Sequence, residues 1–393
     1  MNPLAVPAQA LPDTSVPKAV EVPSDRRITT LDGLRGLAAI MVVVSHYFAE
    51  LPGGISALMF GWIGVDIFFV LSGFLIGKLI LERQHHSNFF TVFYVRRTFR
   101  IIPAYVVTVV ALFVLIDRLP PEWADADTSF PLWSYLLFVQ NFFMASTGSV
   151  GAHWLAPTWT LAVEEHFYLV IPAIIVFTPR RWLTRVLIAT AIAAVLFRVA
   201  ISYSDLSALA SLVMLPGRAD TLICGLLAAI AFKSGTINWV RLIPALRIFP
   251  IAALVAAILT RLISPELFGV LAPLFVGAGC AAYLLCIVLG TPEARRYHSK
   301  VLQFFGNNGY CLYLVHLPIL GLMHGLILGA KPALVTPTQW MVTFAALPIC
   351  VLVGWAMTKL IEEPLTHYGR TWRWSPELSA PPLDTKTIPS PNR

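Results

Sequence analysis

Apolar runs of about twenty residues recur between residues 33 and 362, and this recurrence limits the possible folds more than any other feature. A helix rising 1.5 Å per residue needs roughly 20 residues to cross the ~30 Å hydrocarbon core of a bilayer. Lipid offers no hydrogen bonds to a bare backbone, so each such run must be helical. Candidate spans fall at 35–51, 61–80, 101–116, 158–178, 186–203, 208–232, 248–264, 267–290, 308–329 and 339–361. A further apolar segment, 132–145 (LWSYLLFVQNFFMA), is short and carries Gln140 and Asn141. The sequence therefore predicts an all-α polytopic membrane protein with about ten transmembrane helices and one short re-entrant or interfacial segment. Composition agrees: 12% of residues are charged, where a soluble domain carries about 25%.

Charge sets the expected orientation. If 132–145 does not cross, then Arg26/Arg27, Arg96/Arg97/Arg100, Arg180/Arg181/Arg185, Arg241/Arg247, Arg295/Arg296/Lys300 and Arg370/Arg373 share one side. The acidic loop from Asp117 to Asp127 then lies opposite. Basic loops stay on the cytoplasmic side, so both termini are expected there. The formal charge of +7 is accounted for by this bias, and nucleic acid is not an expected partner. Residues 1–27 are polar and proline-rich without an apolar core, which reads as a flexible cytoplasmic lead and not as a signal peptide. Residues 28–366 form the expected membrane domain, and 367–393 a flexible cytoplasmic tail. The five cysteines sit singly in apolar segments, which predicts packing roles and no metal site.

Against this background the polar residues inside spans stand out, because ionisable groups in a membrane are costly and usually face a cavity. Arg35 and His46 are eleven residues apart in the first span. Eleven steps of 100° make three turns plus about 20°, so the two side chains share a face, separated by ~16 Å along the axis. His46 either takes a proton from a hydroxyl, the usual work of a neutral imidazole, or merely bonds another helix. Asp66 opens the second span, where it is either functional or an interfacial charge; Ser72 and Gly73 read as packing residues. Arg97 and Arg100 lie on one helical face at the membrane boundary. Their forks suit the phosphates of a nucleotide-like cofactor, with ordinary membrane anchoring as the alternative.

The stretch from Thr158 through Trp159, Thr160 and Glu164-Glu165-His166 to Tyr168 puts two adjacent carboxylates in an apolar helix. Glu164 can orient or recharge an imidazole such as His46, or bind an acceptor's hydroxyls. Arg218 and Asp220 can neutralise each other, and Tyr313 and His316 share a helix face that can line the cavity of His46. Glu362 and Glu363 end the last span and read as a solvated cap.

Taken in order, these segments resemble the membrane acyltransferase 3 family, whose members O-acylate sugars and other hydroxylated acceptors. The resemblance runs from Leu31-Asp32-Gly33-Leu34-Arg35-Gly36 and His46 through Gly64-Val65-Asp66, Ser72-Gly73, Arg97/Arg100, Trp159 to Tyr168, and Tyr313-Leu314-Val315-His316 to Glu363-Pro364. It implies that His46 is the essential catalytic residue, and that Arg35, Arg97 and Arg100 hold acyl-CoA, commonly acetyl-CoA. It also matches Glu164 to the family's span glutamate, a second catalytic candidate. Asp66, Trp159, Tyr168, Arg218, Tyr313 and His316 are expected to line the substrate cavity. His166 and Thr160 depart from the glutamine and serine common in relatives, which bears on acceptor choice. Some members carry an extracytoplasmic hydrolase-like domain after the membrane part, which is not expected here from the short stretch after Pro364.

The expected activity is acyl transfer from acyl-CoA to a hydroxyl of a sugar or glycan, with His46 as general base and membrane lipid around it. Tailoring of a small glycosylated secondary metabolite is the nearest rival. A secondary transporter is the rival from another class, opposed by the absence of an internal repeat or paired broken helices.

Overall fold

The structure, a computed structural model, describes residues 29–120, 123 and 130–376. The expected flexible lead, part of the acidic loop (121–122 and 124–129) and the tail beyond 376 lie outside the described residues. Among the described residues there are helices and no strands, and ten helices are long and apolar enough to cross a membrane. They are α1 (Thr29–Phe48), α2 (Gly61–Arg83), α3 (Phe89–Ile116), α6 (Thr158–Phe177), α7 (Arg180–Ser202), α9 (Leu215–Lys233), α10 (Trp239–Ile263), α11 (Pro265–Val288), α12 (Lys300–Leu328) and α13 (Pro337–Met357). Shorter helices are α4 (Leu132–Leu136), α5 (Gln140–Thr147), α8 (Leu209–Val213) and α14 (Glu363–Gly369), the last reached from α13 through a π-turn over Thr358–Glu362. Leu169, Leu196, Ile251 and Leu352 point outward, as a bilayer-facing surface allows.

The ten predicted spans correspond one to one with these helices. The third, seventh and ninth begin well before their apolar cores, at Phe89, Trp239 and Lys300. Charged residues on those first turns lie outside an apolar window but continue the same helix.

The segment 132–145 does not form a spanning helix. It breaks between α4 and α5, where Phe138 has a φ of 58°, and α5 ends at Gly148, with a φ of 69°. Gln140 and Asn141 explain its polarity. Gln140 donates to the carbonyl and hydroxyl of Thr158 at 3.1 and 3.2 Å, and Asn141 donates to the carbonyls of Trp159 and Val213. Irregular backbone is tolerated where protein covers it: Phe138, Gln140 and Asn141 are buried while Leu137 and Phe142 face outward, and the two amides pin the first turn of α6.

Small residues set the helix spacing. A side chain at Gly36 would run into the Leu302 carbonyl, and one at Gly306 into the Asp32 carbonyl, so α1 and α12 touch backbone to backbone. Gly73 and Gly225 make the same approach between α2 and α9. Gly306→Ala is expected to destabilise the protein by about 1–3 kcal/mol through overpacking. Gly269→Ala, which meets nothing within 4 Å, should stay within about 0.5 kcal/mol. Thermal unfolding of the two variants in detergent compares them, and equal midpoints would contradict the packing argument.

The tail is predicted flexible from residue 367, but its first residues are held. Arg96 donates to the Trp372 carbonyl through Nε and Nη2 at 3.1 and 2.7 Å, and Asn88 donates to the Arg373 carbonyl at 3.0 Å. Trp374 stacks on Phe89. The aromatic and amide groups that fix this strap sit at the α2–α3 corner, nearly three hundred residues away in sequence.

Candidate active site

Two cavities lie at opposite ends of the bundle. One, of about 430 Å³, is lined by His46, Glu50, Asp66, Trp159, Arg218 and Tyr313 among others. The second, of about 560 Å³, is lined by Arg35, Ser72, Arg97, Arg100, Glu164, Glu165, Tyr168, Tyr313 and Arg370 among others. Arg35 and His46 thus share a helix face but not a cavity, since α1 passes along both. Val65 and Tyr313 line both and form the wall between them. Tyr313 Oη is fixed there, donating to the Pro157 carbonyl at 3.0 Å with Thr160 Oγ1 2.9 Å away. A serine at position 160 would supply the same hydroxyl.

In the first cavity α1 presents His46 with its ring held from behind. His46 Nδ1 lies 2.8 Å from His316 Nε2, and His316 Nδ1 lies 2.7 Å from the Tyr313 carbonyl. A carbonyl only accepts, so the proton of a neutral His316 sits on Nδ1, leaving Nε2 to accept from His46 Nδ1. His46 Nε2 is then the basic atom, and it faces the cavity end where Glu50 Oε2 lies 3.5 Å away. Glu50 is itself held by Ser45 Oγ, which donates to Oε1 at 3.0 Å. Tyr47 adds a bond to the His316 carbonyl at 2.9 Å, so adjacent residues of α1 grip one turn of α12. His316 is fully buried; it stands behind His46 and does not line the cavity.

Asp66, Trp159 and Arg218 share this cavity. Arg218 donates to Asp66, so it does not neutralise Asp220, the partner the sequence suggests. Asp220 belongs instead to Arg198, with contacts of 3.0 and 2.6 Å. Residues two apart on a helix point in different directions, which separates Arg218 from Asp220. Arg198 also donates to the carbonyls of Val270 and Gly217 at 2.7 and 2.6 Å.

The second cavity gathers arginines. Arg35 pairs with Asp32 at 3.1 Å, and Arg97 stacks 4.9 Å from the centroid of the Tyr168 ring. Among the described residues, the side chains of Arg97, Arg100 and Arg370 make no hydrogen bond or ion pair. Glu164 stands in this cavity and not beside His46: Ser72 and Tyr168 donate to its two oxygens at 2.9 and 2.5 Å. Ser72 is therefore a carboxylate holder as well as a packing residue. Glu165 Oε1 is buried with no partner among the described residues. His166 packs against Phe142 and lines neither cavity.

Glu50 and Arg198 were not singled out by the sequence. The i, i+4 spacing of His46 and Glu50 is the signal for the first. The second is an arginine in the middle of an apolar run. Among the described residues no cluster of three or more histidine, cysteine, aspartate or glutamate side chains could hold a metal.

An acyltransferase domain family matches residues 28–359. O-acetyltransferase OatA of Staphylococcus aureus (strain NCTC 8325 / PS 47) is 33% identical over 181 residues, 42% of this chain and 28% of its own length. Peptidoglycan O-acetyltransferase OatA of Listeria monocytogenes is 36% identical over 159 residues, 38% of this chain and 24% of its own length. The matches therefore span about a quarter of these longer relatives. No solved structure matches the chain.

Proposed function

The chain belongs to the acyltransferase domain family, and from that premise we propose that it is an integral-membrane O-acyltransferase. In this reading it moves an acetyl group from acetyl-CoA to a sugar hydroxyl of the cell envelope. The observation that carries the reading is the pair of cavities that meet at the wall of Val65 and Tyr313, one lined by arginines of which Arg97, Arg100 and Arg370 have no ion pair among the described residues, and the other holding an oriented histidine. The names of the relatives, which include a peptidoglycan O-acetyltransferase, support a glycan as acceptor.

The arginine cavity faces the cytoplasm of a bacterial inner membrane, with both termini on that side. Arg35, Arg97 and Arg100 take the donor's phosphates, since a guanidinium fork matches phosphate oxygens in pairs. The pantetheine arm runs along α1 past Val65 and Tyr313. The ~16 Å rise from Arg35 to His46 is of similar length to that extended arm. The acceptor enters the opposite cavity, among Asp66, Trp159 and Arg218. His46 Nε2 removes the hydroxyl proton as the oxygen attacks the thioester carbon, and Glu50 faces the imidazolium that forms. The carbon–sulfur bond then breaks, and the departing thiolate takes the proton from His46.

The test is acceptor-dependent release of CoA by the purified protein in proteoliposomes. Arg97→Ala/Arg100→Ala is expected to raise KM for acetyl-CoA at least tenfold, each charged hydrogen bond being worth about 1.5–3 kcal/mol. A transporter would release no CoA, and absence of release from the wild type with glycan acceptors would sink the reading. Acylation of acceptor confined to the arginine side would reverse the assigned entrances.

A further inference from the structure

The donor cavity includes an arginine from beyond the stretch that the family covers. Arg370 follows Gly369 at the end of α14, while the family match stops at residue 359. Its position depends on the strap that follows it. Besides the bonds from Arg96 and Asn88, Asn88 Oδ1 accepts from the Ser375 amide at 2.9 Å, and His86 bonds the Ser375 carbonyl. Trp374 lies between Phe89 and the Arg96 guanidinium, which sits 5.0 Å from its ring centroid. On the other side, Gly369 lies so close to Phe99 that a side chain there would clash.

This anchoring seats Gly369 on α3 beside Arg96 and Phe99 and brings Arg370 to the cavity that Arg97 and Arg100 line. Arg370 is near enough to Arg96 for the two charges to oppose each other. Arg100 similarly opposes Arg35 and Arg97, and Asp32, Glu164 and Glu165 in the same cavity offset part of that positive charge. Holding like charges together costs free energy unless an anion joins them. Along the cavity exposure rises from Arg35, whose side chain is 21% exposed, to the exposed Arg370 at the mouth.

We propose that Arg370 binds a phosphate monoester at the mouth of this cavity, namely the 3′-phosphate on the ribose of a CoA donor. The proposal rests on the acyl-CoA reading. A donor whose thioester points inward to His46 leaves its nucleotide end outermost. The most exposed guanidinium then meets the most distal phosphate, and Arg35, Arg97 and Arg100 are left for the diphosphate. The strap is what turns a residue outside the family domain into part of the donor site.

Equilibrium binding of CoA and of 3′-dephospho-CoA to the full-length protein in zwitterionic nanodiscs tests this. The wild type is expected to prefer CoA by about tenfold, as one charged hydrogen bond allows. Arg370→Gln should remove that preference by weakening CoA alone, whereas Arg373→Gln, the same charge loss on the same strap, should retain it. A preference that survives Arg370→Gln, or an equal loss for both nucleotides, overturns the proposal. An effect seen only when the nanodiscs contain anionic phospholipid would assign Arg370 to a lipid headgroup and likewise overturn it. Wild-type protein that binds neither nucleotide would fail the acyl-CoA reading itself, a result distinct from loss of preference.

Discussion

Replacing His46 with alanine is expected to lower kcat for acceptor-dependent CoA release by about 10²–10⁴-fold, the usual contribution of a general base. His316→Ala should cost about tenfold to a hundredfold, below the loss at His46, because the reacting imidazole remains while its tautomer is no longer fixed. With the Tyr313 carbonyl holding His316 and His316 holding His46 Nδ1, the lone pair is set on Nε2. Without His316, the competing tautomer places its proton on Nε2 and donates it to Glu50, only 3.5 Å away. The free base is then partly blocked by its own neighbour. Glu50→Gln keeps the shape but removes the charge facing the imidazolium, and a loss of about tenfold is expected. Single-turnover measurement with saturating acetyl-CoA separates these steps from binding. A folded His46→Ala protein within tenfold of wild type would place the base elsewhere.

The largest stability loss is expected at Asp220. Arg198 and Asp220 are 2% and 0% exposed, and α7, α9 and α11 meet at this pair. Asp220→Ala strands a guanidinium among apolar helices, at a cost of about 3–5 kcal/mol. Replacing both residues, as Arg198→Leu with Asp220→Ala, should recover much of that loss, because no unpaired charge remains. Asp66→Asn should cost less than Asp220→Ala, since its partner Arg218 lines a cavity that water can enter. Thermal unfolding in detergent orders the three variants. Asp220→Ala melting with the wild type would show that this pair does not hold the helices together.

Helix number was legible because the bilayer imposes one length and one backbone pattern on every span, whereas helix starts such as Phe89 and Lys300 lie outside any apolar window. The arginine pair, Glu164 and His46 were legible because charge in an apolar run is costly. Pairings were less so. His46 and His316 are 270 residues apart, and no local periodicity brings α1 beside α12. The glycines that do so, Gly36 and Gly306, read locally only as small residues. From sequence Glu164 reads as a partner for His46 or for an acceptor's hydroxyls, because sequence supplies its depth along the span and not its neighbours. Its rotation about α6 carries it instead to Ser72, while Tyr168, four residues on, reaches the same carboxylate. Neighbouring charges such as Arg218 and Asp220 invited pairing by proximity in sequence, although helical rotation sends them to different helices.

The wall at Tyr313 has a consequence for the electrical integrity of the membrane. Two wet chambers placed end to end would, if merged, short-circuit the ion gradient of the cell that houses them. Val65 contributes hydrocarbon to the partition, and Tyr313 spends its hydroxyl on the Pro157 carbonyl and Thr160. Little polar surface is left there to carry a chain of water. The same side chain that borders both chambers thus insulates them, so that in the acyl transfer proposed above the thioester is presented across the partition without opening a path for ions.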